Sequence, residues 1–388
     1  MQDTVSLTAR GAHVFGVQES EWNDWRWQLS HRLSSEHDFA KILQLDPDER
    51  EALRRREGRM RSAITPYYAL LIDPDDPHDP IRRTMVPRLA EFDTSPEGYT
   101  DPCDEDAHQP VRGLVHRYPD RVLLLPTNQC PVYCRYCTRG RWVGGPVGYI
   151  SDSDLDAIVR YLIDHPEVRD VLVSGGDPLI LPDAKIVDLL ARLRAIESIE
   201  ILRIGTKVVP TLPMRITPDL VQRLREMGPL WVNIHFAHPR EITEDVKAAC
   251  ARLADAGIQL NAQIVLLKDV NDSLPVMKRL CQELIRMRVR PYYLYQCDPV
   301  QWGLHFRTPV AKGIEMIEGL RGHTTGFAVP TFVIDAPGGG GKIPLQPNYV
   351  ESWQDGVVRL RNYAGEPFVY LEPAECQDPI RCEPIPQR

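Results

Sequence analysis

Between about residues 120 and 320 the sequence alternates between short apolar runs and longer amphipathic segments. The apolar runs have the length and β-branched content of strands, and the segments between them repeat apolar residues at helical spacing. The six strand-like runs are 121–127, 170–175, 200–206, 230–236, 258–267 and 290–296. Successive β/α units predict a parallel sheet with right-handed crossovers. Six units are too few for an eight-fold barrel, so we predict a partial (β/α)6 barrel of the α/β class, with catalytic groups at the C-terminal strand ends.

The strand–helix alternation is absent from the sequence before and after this region. Residues 1–110 have helical patterns followed by Pro- and Asp-rich connections such as IDPDDPHDPIRR, in which prolines remove backbone donors and fix φ. Residues 328–388 contain one apolar run, a glycine run and a Pro-rich tail. We therefore predict a helical N-terminal region (1–110), a barrel core (111–327) and an irregular C-terminal segment (328–388), the last dozen residues of which we expect to be loosely ordered.

Charge and composition narrow the class of protein. The formal net charge of −8 argues against a nucleic-acid partner, which a basic face would normally bind. The N-terminus, MQDTVSLTAR, lacks an apolar signal core, and no window reaches the roughly 18 unbroken apolar residues that span a bilayer. We expect a cytoplasmic protein that acts on a small molecule and has no membrane partner. Three of the nine cysteines fall within eight positions, a pattern typical of a metal site in a reducing compartment.

These three cysteines, Cys130, Cys134 and Cys137, have C-x3-C-x2-C spacing directly after the first strand-like run. Three thiolates suit a [4Fe–4S] cluster in which one iron lacks a protein ligand. That open iron can bind the amino and carboxylate groups of S-adenosylmethionine and pass an electron to its sulfonium. Tyr136 lies between the second and third cysteines, where its ring can pack on the adenine. A structural zinc site or a ferredoxin cluster would need a fourth ligand, and none follows at regular spacing.

The cysteine spacing resembles the radical S-adenosylmethionine superfamily, whose core is a partial (β/α)6 barrel. The segment VSGGDPL (173–179) follows the second strand-like run and resembles the superfamily's GGE-type motif, which contacts the methionine amino group. A glycine pair alone would also suit a simple turn, whereas glycine allows backbone groups to approach a ligand closely. By this resemblance, the residues that help to bind S-adenosylmethionine are Ser174, Gly175, Gly176 and Asp177.

A lysine at the end of a glycine run is the second strong feature, in VIDAPGGGGKIPLQPNYV (333–350). A phosphate-binding P-loop is excluded because Ala336 occupies its first glycine position and Ile343 its hydroxyl position. A mobile glycine run that presents Lys342 instead suits attachment of an aldehyde, for which pyridoxal 5′-phosphate is the usual cofactor.

With this lysine the resemblance narrows to the lysine 2,3-aminomutase family. The matching segments are EWNDWRWQ (21–28), LVHRYPDRVLLL (114–125), HFAHPREIT (235–243), HFRTPV (305–310) and DAPGGGGK (335–342). The resemblance implies that Lys342 is the pyridoxal 5′-phosphate lysine and that Arg117, Tyr118 and Arg121 lie at the same cofactor's site. It also places His235 and Gln263 near S-adenosylmethionine. Arg121 would alternatively be a solvated surface charge, and His235 and Gln263 satisfied polar groups of the core.

The resemblance further implies how the substrate is held. Arg139 matches the family's anchor for the substrate α-carboxylate, and Asp298 and Asp335 match the positions that hold the distal cation of lysine. Paired carboxylates in a shielded pocket favour a cationic side chain. The chain is therefore predicted to be an isomerase that moves the α-amino group of a basic L-amino acid, lysine first, to the β-carbon. Arginine is the second choice, because a flat guanidinium could stack on Trp302, which stands where smaller residues are expected.

Several further expectations stay open at this stage. The product β-lysine could serve modification of a translation factor, and a catalytically silent iron–sulfur protein is the alternative of another class. We expect an electron donor such as flavodoxin or ferredoxin, and a homo-oligomer. Family members often bind zinc through closely spaced C-terminal cysteines. Because this tail has only Cys376 and Cys382, and Ser273 stands where another ligand is expected, we predict no zinc site.

Overall fold

The computed structural model describes residues 6–55, 60–93, 95–146 and 148–373, so Cys376, Cys382 and the predicted loose tail lie outside the described residues. The N-terminal region is helical, as predicted. Its helices are α1 (Leu7–Phe15), α2 (Glu19–Trp22), α3 (Trp25–Ser30), α4 (Glu36–Ala40), α5 (Pro47–Arg54), α6 (Pro66–Ala69) and α7 (Pro80–Met85). Their apolar sides form a cluster of their own around the fully buried Trp22, Phe39 and Tyr68. The cluster extends to Val132, so the N-terminal region supports the segment that carries the cysteines.

Nine strands of the described chain form one sheet, and their order in the sheet follows their order in the sequence. They are β1 (Leu114–Tyr118), β2 (Arg121–Leu124), β3 (Asp170–Val173), β4 (Ile201–Thr206), β5 (Leu230–His235), β6 (Gln259–Leu266), β7 (Val289–Gln296), β8 (Thr331–Ala336) and β9 (Gly341–Leu345). Strands β2 to β8 pair in parallel, whereas β1 and β9 pair antiparallel at the two ends of the sheet. The six predicted strands coincide with β2 to β7, which confirms the partial barrel.

Helices connect the parallel strands and cover the outside of the barrel. They are α8 (Asp152–Asp164), α9 (Asp183–Arg194), α10 (Val208–Thr211), α11 (Pro218–Glu226), α12 (Glu244–Asp255), α13 (Leu274–Arg286) and α14 (Val310–Leu320). Short 3-10 helices occur at Leu89–Phe92, Pro178–Ile180, Pro213–Arg215, Pro239–Glu241, Gln301–Phe306 and Gly326–Ala328. Alternate strand residues such as Leu202 and Ile204 point outward into a fully buried apolar core, which leaves the intervening residues to face the barrel interior. Among the helices of the described residues, none has both the length and the hydropathy that a membrane span requires.

The C-terminal segment is more regular than predicted. Its last apolar run becomes β8, which adds a seventh parallel strand beside β7, and the glycine run is the turn of a β8–β9 hairpin. Gly338, Gly339 and Gly341 have φ values between 72° and 82°, which non-glycine residues rarely adopt. A separate antiparallel sheet follows, with β10 (Val350–Gln354), β11 (Val357–Arg361) and β12 (Pro367–Leu371). The hairpin was hidden in the sequence because the turn glycines interrupt the alternation that marks a strand.

Candidate active site

One cavity of about 510 Å³ extends from the C-terminal strand ends into the barrel interior. Its walls come from the segment after β2, the ends of β3 to β8 and the β8–β9 hairpin. Every site residue predicted from the sequence lines this cavity: Arg117, Tyr118, Arg121, Cys130, Cys134, Tyr136, Cys137, Arg139, Ser174, Gly175, Gly176, Asp177, His235, Gln263, Asp298, Asp335 and Lys342. The fold therefore brings together residues that are up to 225 positions apart in the sequence, from Arg117 to Lys342.

The three predicted cluster cysteines line one end of the cavity, and none of them forms a disulfide. Burial raises the pKa of the Cys134 thiol to about 11, and it also raises the pKa values of Cys130 and Cys137. Three cysteines in one part of the cavity fit an iron–sulfur cluster, whose irons would keep their thiols deprotonated. In the described part of the chain, no group of three or more His, Cys, Asp or Glu residues is arranged to hold a single metal ion. A four-iron cluster differs, because each thiolate binds a different iron.

The glycine pair after β3 packs directly on the cysteine segment. The Gly176 amide donates to the Thr127 carbonyl at 2.6 Å, and the Asp177 amide donates to the Gln129 carbonyl at 2.8 Å. A Cβ on Gly176 would lie 2.2 Å from the Gln129 carbonyl oxygen, and Gly175 has φ +101°. Any other side chain would push the two segments apart. The glycines therefore do more than form a turn: they allow the two cofactor segments to touch.

Asp177 is almost fully buried and fixes the end of the next strand. Its carboxylate accepts hydrogen bonds from the Thr206 hydroxyl at 2.8 Å and from the Lys207 amide at 2.7 Å. Burial raises its pKa to about 6, although these hydrogen bonds act in the opposite direction. The carboxylate thus holds the loops after β3 and β4 in a fixed relation at the cavity wall.

His235, at the end of β5, is held by two hydrogen bonds. Its Nε2 lies 2.6 Å from the Tyr136 hydroxyl, and its Nδ1 lies 3.1 Å from the Gln263 carbonyl oxygen. Burial and then the charge of Lys207 lower the pKa of His235 to about 3, so the ring is neutral. Because the Gln263 carbonyl can only accept, Nδ1 carries the proton and Nε2 accepts from Tyr136. The side-chain amide of Gln263 in turn donates to the Tyr295 hydroxyl at 3.3 Å.

The β8–β9 hairpin places Lys342 directly opposite Asp335. Directly paired residues of antiparallel strands point to the same face, and the Lys342 Nζ lies 2.9 Å from an Asp335 oxygen. The other Asp335 oxygen accepts from Arg117 at 2.9 Å. The Tyr118 hydroxyl accepts from the Lys342 backbone amide at 2.9 Å. Strand β1 therefore holds both residues, because Tyr118 binds the Lys342 backbone and Arg117 binds Asp335.

Cations and aromatic rings surround this lysine in a way that suits a phosphorylated aldehyde. The Arg121 guanidinium lies 3.9 Å from the centre of the Tyr118 ring, and Arg121 has a salt bridge only with the exposed Asp120 among the described residues. Burial alone would raise the pKa of the Tyr118 hydroxyl, but Lys342 and Arg117 outweigh it and lower that pKa. The site thus offers an amine, an aromatic ring and two guanidinium groups for a dianionic phosphate, and it fits pyridoxal 5′-phosphate.

Asp298 follows β7 and lines the same cavity as Asp335. Burial, and then the negative charge of Asp335, raise the pKa of Asp298 to about 7. Ionising Asp298 beside Asp335 is unfavourable in the protein alone. Asp298 is therefore suited to bind a cation that the protein does not itself supply.

Arg139 is paired with a carboxylate of the protein at the cavity wall. Its guanidinium donates to both carboxylate oxygens of Glu105 at distances of 2.7 to 3.0 Å. Sequence reasoning missed Glu105, because it lies in an Asp- and Pro-rich segment without periodicity. It also missed Tyr295, whose position in RPYYLYQ marks it as facing the barrel interior once the strand alternation is followed.

Trp302 does not lie at the cavity wall, where stacking on a substrate would require it. It packs with Met60, Tyr133 and Val143 beneath the cysteine segment, is only 7% exposed, and donates from Nε1 to the Cys137 carbonyl at 3.1 Å. It is not among the residues that line the cavity. The expectation that Trp302 stacks on a guanidinium substrate is therefore wrong, and the ring instead supports the third cysteine.

The barrel and the cysteine segment define a radical S-adenosylmethionine enzyme, and the family model of that superfamily matches residues 124–280. The model described as lysine-2,3-aminomutase matches residues 317–384. The chain is 51% identical to the L-lysine 2,3-aminomutase of Acetoanaerobium sticklandii over 92% of its own length and 86% of that protein's length. Identity to the L-lysine 2,3-aminomutase of Clostridium subterminale is 49% over 95% and 88% of the two chains. A glutamate 2,3-aminomutase of Clostridioides difficile is 40% identical over 91% and 83%.

The chain belongs to the lysine 2,3-aminomutase family. It is an enzyme, an isomerase that acts on an amino acid and needs a reductant. Its cofactors are a [4Fe–4S] cluster, S-adenosylmethionine and pyridoxal 5′-phosphate.

Proposed function

We propose that this enzyme converts L-lysine to β-lysine by moving the α-amino group to the β-carbon. The observation that carries the proposal is the pair Asp298 and Asp335 in the cavity that also holds Lys342. Two carboxylates in a shielded pocket stabilise the ammonium at the end of a lysine side chain and disfavour an acidic one. Glutamate, the substrate in the name of one relative, is therefore a poor fit for this cavity.

The roles of the other residues follow from their positions. Cys130, Cys134 and Cys137 would hold the cluster, and Arg139 the substrate α-carboxylate. Lys342 would hold pyridoxal 5′-phosphate, with its phosphate at Arg117, Tyr118 and Arg121. The groups assigned to S-adenosylmethionine are Tyr136, Ser174, Gly175, Gly176, Asp177, His235 and Gln263. When bound, these cofactors supply a radical that removes a substrate hydrogen and a π-system through which nitrogen can migrate.

The protein itself contributes by holding the groups of the cavity in position. The neutral His235 keeps Tyr136 fixed at the cluster end of the cavity without adding a charge there. Asp335 keeps the Lys342 amine beside Arg117 until the cofactor and substrate arrive.

The main argument for arginine as the substrate was stacking on Trp302, and it fails because Trp302 does not line the cavity. The longer arginine side chain would also have to fit between Arg139 and the two carboxylates, which line the same cavity. We therefore place lysine first.

We further propose a cytoplasmic enzyme that self-associates and receives its electron from a flavodoxin or ferredoxin. Seven cysteines of the described chain are unpaired thiols, which suits a reducing compartment. Phe368, Tyr370 and Leu371 on β12 are more than half exposed, which suits contact between copies of the chain.

A comparison of three substrates tests the proposal. Reconstituted enzyme is incubated without oxygen with L-lysine, L-arginine or L-glutamate, and β-amino acids are quantified by chromatography. We expect a kcat/KM for lysine at least about tenfold above that for arginine, and no glutamate product. An enzyme that prefers arginine or glutamate would contradict the assignment of Asp298 and Asp335.

A further inference from the structure

The guanidinium of Arg139 is oriented by one carboxylate from a distant segment. Its Nε donates to both oxygens of Glu105 at 2.9 and 3.0 Å, and its Nη2 donates to Oε1 at 2.7 Å. The side chains of Arg139 and Glu105 are 18% and 8% exposed. The pair is therefore a charge-assisted, side-on interaction in a shielded place.

Some of the N–H groups of Arg139 remain available to a substrate. A guanidinium has five N–H groups, one on Nε and two on each terminal nitrogen. Glu105 takes the Nε hydrogen and one on Nη2, and the Gly175 carbonyl takes one on Nη1 at 3.3 Å. One N–H is left on each terminal nitrogen, and these two donors are available to a carboxylate.

Glu105 is itself fixed, because the segment that carries it is tied at several points. We call this segment, residues 101–108, the strap. Arg141 binds Asp101 and Asp106 of the strap, each at 2.9 Å. The Cys103 carbonyl accepts from Arg117 at 2.8 Å. The strap thus connects Arg139 with the arginine that clamps Asp335.

The same ion pair separates two spaces. Glu105 and Arg139 line the main cavity, and both also line a smaller one of about 130 Å³. Without Glu105 the guanidinium would be free to rotate toward the smaller cavity, away from the substrate. A flexible arginine loses more entropy on binding than one that is already held.

We propose that Glu105 is the positioning residue for the substrate carboxylate: it holds Arg139 side-on so that both terminal nitrogens face the main cavity. This inference rests on the proposed function of Arg139. In this role Glu105 acts through Arg139, so its effect appears in substrate affinity.

The test uses Glu105→Gln in the holoenzyme. We expect the KM for lysine to rise about 10- to 100-fold while kcat changes less than about threefold, because the lost orientation affects binding. Lysine affinity, read from the change in pyridoxal absorbance on titration, falls by the same factor. In an Arg139→Gln background, Glu105→Gln adds no further increase, since it acts through that arginine. Glu97→Gln makes the same chemical change at an exposed partner of Arg307 outside the strap, and it leaves both values unchanged.

The outcomes separate the two claims. If Arg139→Gln raises the KM and Glu105→Gln does not, the positioning role is overturned while the proposed function stands. If Arg139→Gln itself has no effect on the KM, the assignment of Arg139 fails and the inference with it. Should Glu105→Gln not fold, Glu105→Asp keeps the charge and shifts the guanidinium by one methylene. Its KM is expected to rise with normal iron and pyridoxal content, and an unchanged KM overturns the proposal.

Discussion

Lys342→Ala is expected to lower β-lysine formation at least about 1,000-fold, because no other residue can replace an amine that attaches the cofactor. Lys342 lies opposite Asp335 in the β8–β9 register, and Tyr118 fixes its backbone. The variant should lose the pyridoxal absorbance and keep the cluster spectrum, since the cysteines are on a separate segment. Product assay and absorbance spectroscopy on the same preparation measure both.

Lys312→Ala is the matched control for this variant. Lys312 is on α14 and forms a salt bridge with Glu315, away from the cavity-lining residues. It should keep full activity and full pyridoxal content. Activity of Lys342→Ala near the level of this control would contradict the assignment of the cofactor lysine, and loss of the cluster spectrum in Lys342→Ala would mean that the hairpin also supports the cysteines.

Asp298→Asn is expected to raise the KM for lysine by about 30- to 1,000-fold, because removing one partner of a buried charge pair costs about 2–4 kcal/mol. Burial and Asp335 raise the pKa of Asp298 to about 7, so the carboxyl is neutral below that pH and charged above it. In the unmodified enzyme, kcat/KM for lysine should therefore rise as the pH passes through about 7. This limb of the pH profile should be absent in Asp298→Asn.

Stability gives an independent readout for the same variant. A carboxyl whose pKa is raised by folding contributes stability that is complete below its unfolded pKa and is lost as the pH rises through its folded pKa. Asparagine cannot ionise, so Asp298→Asn should melt at the same or a higher temperature at pH values above about 7. Asp255→Asn, an exposed partner of Arg288, is the control and should change neither KM nor the pH profile. A normal KM in Asp298→Asn would exclude this carboxylate from the substrate site.

The sequence was sufficient for those parts of the molecule that have local patterns. Strands β2 to β7 were predictable because apolar alternation is a direct consequence of burial on one face of a strand. The cysteine triad and Lys342 could be singled out because their spacing and glycine context are typical of cofactor sites, and the fold places all four residues in one cavity. The β8–β9 hairpin was missed because its turn glycines break the strand pattern.

Two residues needed the structure. The sequence after Asp298 does not indicate which way Trp302 points from the short helix at Gln301–Phe306. Its direction is set by packing in the cluster that contains Tyr133. Glu105 is separated from Arg139 by 34 positions and has no periodic context, so only tertiary contact reveals the pair. Long-range ion pairs of this kind depend on the assembled barrel and leave no local signal.

The most direct test of the central claim follows the nitrogen. L-Lysine with an isotopically labelled α-nitrogen is incubated without oxygen with the reconstituted enzyme, S-adenosylmethionine, a reductant and an excess of unlabelled ammonia. An intramolecular 2,3-aminomutase predicts β-lysine with the label on the β-carbon nitrogen, undiluted, as read by nuclear magnetic resonance and mass spectrometry. Label released into the ammonia pool, or labelled lysine recovered without any β-lysine under conditions that cleave S-adenosylmethionine, would contradict it.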